Sequence, residues 1–200
     1  MLPLNTLPFV DLIMTDGTEY FEYLKGRSRL GLFYRRFWLY PRIARHLRGR
    51  ALDVGCGIGD MLRYRKDTIG VDINPATINW CRSQGLDARL MQIDTLPFES
   101  ATFDSVILDN VLEHLTEPGP LLREIARVLV PGGNLVIGVP GKMGYTADPD
   151  HKRFYDEAAL IQFGGELGYR LVTTFHTPFR SRWLDSNASP YCLYGVFTND

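Results

Sequence analysis

Gly55, Gly57 and Gly59 stand at every second position in "ALDVGCGIGD", directly after a short apolar run, and Asp53 precedes them. A second run, "TIGVDINP", brings Asp72 to its end. Glycines remove side chains, so a ligand has room to lie against the backbone where a helix begins. A carboxylate at the tip of the next strand accepts both hydroxyls of a ribose. A glycine-rich loop alone is a weak signal. A strand, three glycines and an acid at the tip of the neighbouring strand together point to a nucleoside-bearing ligand.

Spacing chooses between the candidates. A dinucleotide calls for G-x-G-x-x-G, with a helix end holding the pyrophosphate. Here the pattern is D-x-G-x-G-x-G, and the Asp53 carboxylate would repel a pyrophosphate. It suits a ligand with an ammonium or sulfonium group instead. S-adenosylmethionine has an adenosine, a cationic sulfur, an amino acid end and no phosphate, so it is the expected cofactor.

Methyl transfer is an in-line displacement at a carbon already activated by positive sulfur, and holding the nucleophile on that axis supplies much of the rate. A hydroxyl acceptor must also lose its proton, which a base assists. The chain has four histidines. His114, in "NVLEHL", follows the fourth predicted strand, and it either packs under the loop or serves the reaction. His151, in "GKMGYTADPDHKRFYD", sits in a long predicted loop after the fifth strand, as a base or substrate contact or as a surface residue. Cys56, Cys81 and Cys192 lack close pairs, which speaks against a disulfide framework or a zinc site. Cys56 reads as a small filler pointing into the sheet, and Trp80 and Cys81 read as core.

These groups need elements to hold them. "ALDV", "TIGVDI", "ARLMQI", "FDSVILD" and "NLVIGV" read as strands that alternate with helices, which makes a mostly parallel sheet covered on both faces. Asn74 is an N-cap, Pro75 fits the first helical position, and Gly85 stops that helix. Leu121, Leu122, Ile125, Val128 and Leu129 recur at helical spacing, and "PGG" is expected to end that helix ahead of the strand. Asp156 caps a further helix. "YRLVTTFHTPF" and "YCLYGVFT" read as two strands with no helix between them, which makes the last one antiparallel. The expectation is one α/β, Rossmann-like, doubly wound domain of seven strands over 51–200, preceded by a helical, aromatic and basic lid segment over 1–50.

Taken in order, "LDVGCGIGD", "GVDINP", "LPF", "FDSVILDNVLEHL" and "LLREIARVLVPGGNLVIGVP" resemble the successive motifs of class I S-adenosylmethionine-dependent methyltransferases. The type 11 subgroup, which includes the ubiquinone-biosynthesis methyltransferases, is the nearest. The resemblance runs from about Ala51 to Pro140. It implies that Asp53, Gly55, Gly57 and Gly59 line the methionine end of the cofactor. Asp72 would hold the ribose and Ile73 would lie on the adenine. Gln92 stands where the family has an acid for the adenine amine, with Asp94 as the alternative, and Ile93 would offer its backbone N–H. Asp109 and Asn110 would sit beside the methionine and the transferred methyl. "HKRFYD" is similar to a His–Arg/Lys–Phe/Tyr stretch of the family. Some relatives bind a divalent ion through E-x-x-E-H on the segment holding Glu113 and His114. Asn110 replaces the first Glu here, and a neutral amide weakens a hard-cation site, so no metal is expected.

Length, composition and charge narrow the partners. Two hundred residues, 45% apolar and 22% charged with a net charge of -1, suit one soluble domain with no global pull toward nucleic acid. No run of about 18 apolar residues exists, and the N-terminus lacks a basic start, so neither a bilayer span nor a secretory signal is expected, and a cytoplasmic location is the default. Lys25 to Arg50 nevertheless holds nine Lys/Arg and no acid, interleaved with Phe33, Tyr34, Phe37, Trp38 and Tyr40. That segment is either a solvated helix or a site for an anion, such as a phosphorylated substrate or an anionic membrane surface. The stretch 139–169 resembles methyltransferases of bacterial surface-polysaccharide clusters, which implies a small-molecule, sugar or lipid-linked glycan acceptor. A quinone or phenolic metabolite is the alternative. A nucleic-acid-binding module would use the same arginines and aromatics, but nothing else in the charge balance supports it.

Overall fold

The computed structural model describes residues 17–199, Glu19 excepted. The extreme N-terminus, read above as no secretory signal and as the start of the lid segment, lies outside the described residues. Among the described residues no helix is long and apolar enough to cross a membrane.

Seven strands make one sheet: β1 (Ala51–Val54), β2 (Thr68–Asp72), β3 (Ala88–Leu90), β4 (Phe103–Asp109), β5 (Leu129–Pro140), β6 (Arg170–Thr177) and β7 (Cys192–Thr198). Their order is β3-β2-β1-β4-β5-β7-β6. The first five pair in parallel, and β7 runs antiparallel to both β5 and β6. Every residue of β1 and β2 is buried, as strands covered on both faces must be. The winding reverses between β1 and β4, and that leaves a crevice at their carboxyl ends.

The helices follow their caps. Ser28 caps α1 (Arg29–Tyr34), which continues through a π-helical turn (Arg35–Leu39) into α2 (Tyr40–Ala44). In that turn the Tyr40 N–H reaches back five residues to the Arg35 carbonyl. Gly59, at φ +79°, opens α3 (Asp60–Tyr64); a Cβ there would stand 2.6 Å from Leu86 Cδ1 and 2.9 Å from Cys81 Sγ. Asn74 accepts from the Ala76 N–H to start α4 (Pro75–Ser83), and Gly85, at φ +72°, lies just past its end. In α5 (Gly119–Val128) the buried Leu121, Leu122, Ile125 and Val128 form one stripe against the sheet. Asp156 caps α7 (Glu157–Glu166), which follows the short α6 (Lys142–Ala147).

Three expectations about elements change. The glycines of "PGG" do not separate helix from strand. Thr102 N–H donates to the Val128 carbonyl, so β5 starts at Leu129 and the glycines fall inside it, with Gly132 at φ +71° and a register shift against β4. The loop after β5 contains α6. A helix, α8 (Arg182–Asn187), lies between β6 and β7, where none was expected. Neither short helix buries a residue, so no apolar period announces them. The second helps to start the first, because Asp185 Oδ1 accepts from the Lys142 N–H at 2.8 Å, while Ser181 caps α8 itself.

The sheet divides the core. Leu52, Val54, Val106, Leu108, Ile125 and Phe197 belong to one side. Ile107, Val136 and Tyr194 face the other, where Leu39, Tyr40 and Ile43 of the first helix cover them. Phe197 is wholly buried and its ring occupies the space that a side chain on Gly164 or Gly195 would need. Phe197→Ala should therefore cost about 3–5 kcal/mol, read as a lowered midpoint of urea unfolding, because those glycines leave nothing to refill the hole.

Candidate active site

One carboxylate organises the glycine loop. Asp72 accepts from the Gly57 N–H through one oxygen and from the Asn74 N–H through the other, each at 2.9 Å. Burial raises its pKa, and the same two N–H groups pull it back down. Asn74 in turn caps α4 and donates to the Gly17 carbonyl at 2.7 Å. The Gly55 and Cys56 N–H groups both donate to the Val71 carbonyl. Gly55 has φ +78° and a Cβ there would meet Val111 Cγ2 at 2.5 Å; Gly57 has φ +52° and would meet Leu24 at 3.0 Å.

A cavity of about 940 Å³ opens where this loop meets the carboxyl ends of β1, β2 and β4. Asp53, Gly55, Gly57, Asp72, Asp109 and Asn110 line it. Gly59 does not, and its neighbours show that it serves helix packing instead. Ile73 and Ile93 line the cavity and are each 39% exposed, as suits two apolar walls for a flat base. Gln92 and Asp94 are exposed outside it. Met91 and Ile93 line the cavity, whereas the chain turns at Ile93–Asp94, with Gln92 and Thr95 paired across the turn, and leaves the Gln92 and Asp94 side chains outside. Neither side chain foreseen for the adenine amine faces the cavity.

The cavity is rich in carboxylates. Burial pushes the Asp53 carboxyl well above its usual range, and Asp109 and Asp72 push it further. Asp109 Oδ1 accepts from Tyr194 Oη at 2.7 Å and from Asn110 Nδ2 at 3.0 Å. Asn110 itself sits in the left-handed region, φ +54°, which asparagine tolerates. Arg27 pairs with Asp60 at 3.0 Å. Arg35 turns inward from the π turn; burial works against its charge, but Tyr40 and Asp109 outweigh that and raise its pKa. Arg36 stays outside, over the Phe37 ring. A cluster of acids that disfavour one another's charge is relieved by a cation. Bare backbone at Gly55 and Gly57 beside that cluster fits S-adenosylmethionine better than any phosphate ester.

The two histidines part company. His114 ends a 3-10 turn (Leu112–His114) and lines the cavity; burial first, then His151, lowers its pKa and keeps the ring neutral. His151 does not line it. Its Nδ1 lies 2.8 Å from the Tyr145 carbonyl, which only accepts, so Nδ1 carries the proton. Its Nε2 faces Glu113 Oε1 at 3.8 Å, and its ring is held between His114 and Tyr145. From the same loop Asp148, Asp150 and Lys152 reach the cavity instead. Glu113 is buried and neither carboxylate oxygen has a hydrogen-bond partner; burial pushes its pKa up to about 8. Its backbone carbonyl accepts from the Lys152 and Arg153 N–H groups, which ties the loop down. Donor atoms of Glu113, His114 and His151 lie within 4.8 Å of one another, a set that could hold a metal ion. The Asn110 amide, on which the expectation of no metal rested, is engaged with Asp109 and Cys192.

Sequence reasoning missed Arg27, Tyr40 and Tyr194 as cavity residues. Tyr194 sits mid-strand in an apolar run, where its ring reads as core, and it does stack on Phe175. Only the register of β7 against β5 brings its hydroxyl to Asp109.

Residues 52–137 match the family model described as "Methyltransferase domain". A Mycolicibacterium smegmatis protein named a probable S-adenosylmethionine-dependent methyltransferase is 28% identical over 167 residues, 74% of this chain and 65% of that one. A human protein named probable tRNA methyltransferase 9B is 33% identical over 153 residues, 72% of this chain and 33% of its own length. The chain thus spans about two thirds of the first relative and a third of the second. A solved Thermotoga maritima S-adenosylmethionine-dependent methyltransferase, described as a possible histamine N-methyltransferase, has the same fold. Its TM-score is 0.73 at 17% identity, over 95% of this chain and 99% of that one.

Two outcomes test the site. Asp72→Ala should weaken S-adenosylmethionine binding by about 1–3 kcal/mol in calorimetry, since charge-assisted hydrogen bonds are lost and the loop is untied. The Glu113 carboxyl, ordinarily near 4.5 and pushed up to about 8 by burial, keeps in the folded state a proton that the unfolded chain releases between those values. Its stabilising contribution is complete below the lower value and is lost as pH rises through the upper one. Glu113→Gln should therefore show a smaller fall in Tm than the wild type between about pH 5 and pH 8.

Proposed function

The chain belongs to the S-adenosylmethionine-dependent methyltransferases, and on that premise we propose that it methylates a hydroxyl oxygen of a small-molecule or glycan acceptor. The observation that carries this reading is the shape of the cavity. At about 940 Å³ it lies near the top of the usual ligand range of roughly 300–1,000 Å³, which is room for cofactor and acceptor together. It runs from the glycine loop to His114 and Lys152 and is walled by Tyr34, Arg35 and Tyr40, by Asp148 and Asp150, and by Pro190. Such cover excludes water and strengthens the charge interactions inside. In this reading 1–50 is the lid segment and 51–200 the catalytic domain. Lys152 brings an ammonium for an anionic group on the acceptor.

The bound cofactor supplies a methyl group on positive sulfur, open to in-line displacement. Asp53 and Asp109 balance the cationic end, and Arg35 meets a carboxylate. His114, neutral and facing the cavity, takes the acceptor proton on a ring nitrogen. His151 is a positioning residue: it packs on His114 and is itself fixed by Tyr145. No metal is needed for these steps. A phenolic or quinone acceptor is the second reading, favoured by the apolar wall of Leu39, Leu115 and Leu121.

Labelled cofactor offered with sugar, lipid-linked glycan, phenol and tRNA acceptors tests the class. Label in a sugar hydroxyl is the expected result, and label in tRNA alone would overturn the proposal. His114→Ala should lower kcat by about 10²-fold, the usual worth of a general base, while cofactor affinity in calorimetry stays unchanged.

A further inference from the structure

The first helix has two faces with different work. Tyr34, Arg35, Leu39 and Tyr40 turn to the cavity. On the opposite side Leu30, Phe33 and Phe37 follow one another at i, i+3 and i+7 and stand in solvent; Leu30 is 83% exposed and Phe33 63%. The Phe33 and Phe37 rings lie 4.5 Å apart, centroid to centroid. Trp38 extends the stripe to a second segment, because its Nε1–H donates to the Pro178 carbonyl at 2.9 Å. Beyond that tether Phe179 is exposed, and so is Trp183, at 69%. A run of large apolar side chains left in water on two adjoining elements marks an interaction surface.

Charge identifies what it meets. Of the nine basic residues from Lys25 to Arg50, Arg27 and Arg35 turn to the cavity and Lys25 pairs with Glu22, but Arg29, Arg36 and Arg42 remain along the helix with no acid among them; Arg182 adjoins Trp183, and Arg180, beside Phe179, is paired with Glu157 at 2.6 Å. Arg36 lies over the Phe37 ring and Arg42 over Trp38, with guanidinium carbons 5.9 and 3.6 Å from the ring centres. The partner must therefore be apolar and anionic at once. A second copy of the chain would set arginines against arginines. RNA would use the aromatic faces, but it has no use for Leu30, the most exposed apolar residue of the stripe.

We propose that this stripe, together with Phe179 and Trp183, docks the protein on the surface of an anionic lipid bilayer. Aromatic rings and leucine enter the headgroup–acyl boundary and the arginines meet the phosphates. Because the other face of the same helix walls the cavity, docking sets the cavity one helix thickness from the membrane surface. This deepens the acceptor reading by favouring a lipid-borne substrate, though the docking itself does not depend on it.

Sedimentation of the full chain with phosphatidylcholine vesicles, with and without phosphatidylglycerol, tests the docking without any acceptor. The protein is expected to follow the anionic vesicles, to be released by added salt, and to ignore the neutral ones. The double variant Phe33→Ser/Phe37→Ser lines no part of the cavity. It should lose vesicle binding at least tenfold, with circular dichroism and cofactor affinity unchanged; about tenfold is the modest end for two buried aromatic rings. Absence of binding to anionic vesicles at low salt would overturn the inference. So would equal binding by the double variant, or a dimer in light scattering that the double variant dissolves. Retention of tRNA by a protein that ignores vesicles would assign the surface to RNA. Failure of the sugar acceptors in the labelling screen, with vesicle binding intact, would touch only the acceptor.

Discussion

The Asp72 carboxylate is the tie on which the site hangs. Its two oxygens accept from backbone N–H groups on two different segments, the glycine loop at Gly57 and the start of α4 at Asn74. A neutral or shorter side chain would leave one or both buried donors without a partner. The tie also fixes where the loop runs, and the loop's path decides that Gly55 and Gly57 present bare backbone to the cavity. Asn74 passes the restraint on, since its side chain holds both the helix start and Gly17 of the N-terminal segment. A single acid thus couples strand, loop, helix and cover.

Around that tie the protein gathers more negative charge than it neutralises. Asp53, Asp60, Asp72 and Asp109 share one cavity, and the cations that reach it are Arg27 and Arg35 from the N-terminal segment and Lys152 from the loop after β5. Burial raises the Asp53 pKa, and the neighbouring Asp109, Asp72 and Asp60 carboxylates raise it further. Such crowding is a form of preorganisation: the repulsion is built in during folding and is relieved when positive charge arrives. The arginines on the opposite wall give the arrangement a direction. A zwitterion with its ammonium toward the sheet and its carboxylate toward Arg27 and Arg35 meets opposite charges at both ends.

Much of this was legible in the residues. Period and caps marked the strands and the long helices, since each rests on apolar burial or on a cap of local origin, as at Asn74 and Asp156. The short helices α6 and α8 were invisible for the converse reason: they bury nothing, and the start of α6 is held by Asp185 of α8, far along the chain. At the site, loop geometry was readable because glycine and aspartate act through backbone and charge. Side-chain direction was not. Gln92 and Asp94 could be distinguished from Met91 and Ile93 only once the turn closed by Gln92 and Thr95 was known. His151 looked available in sequence, yet the Tyr145 carbonyl and the fold of its loop turn it to Glu113. Tyr194 depended on register between strands far apart in sequence, which no local pattern carries.

The π turn at Arg35–Leu39 amounts to one residue inserted into a helix. Removing any single residue there would restore the ordinary pitch, and each residue of an α-helix turns the chain by about 100°. Downstream, Ile43 and Leu47 are seated in the core and hold their place. Everything upstream would have to rotate, carrying Leu30 and Phe33 away from the outer face and the Ser28 and Arg27 side away from the cavity. The identities of the outward residues are free to drift as long as their character is kept, but the count of residues between Ser28 and Ile43 is not. Over evolutionary time this segment should tolerate substitution far more readily than the gain or loss of a codon.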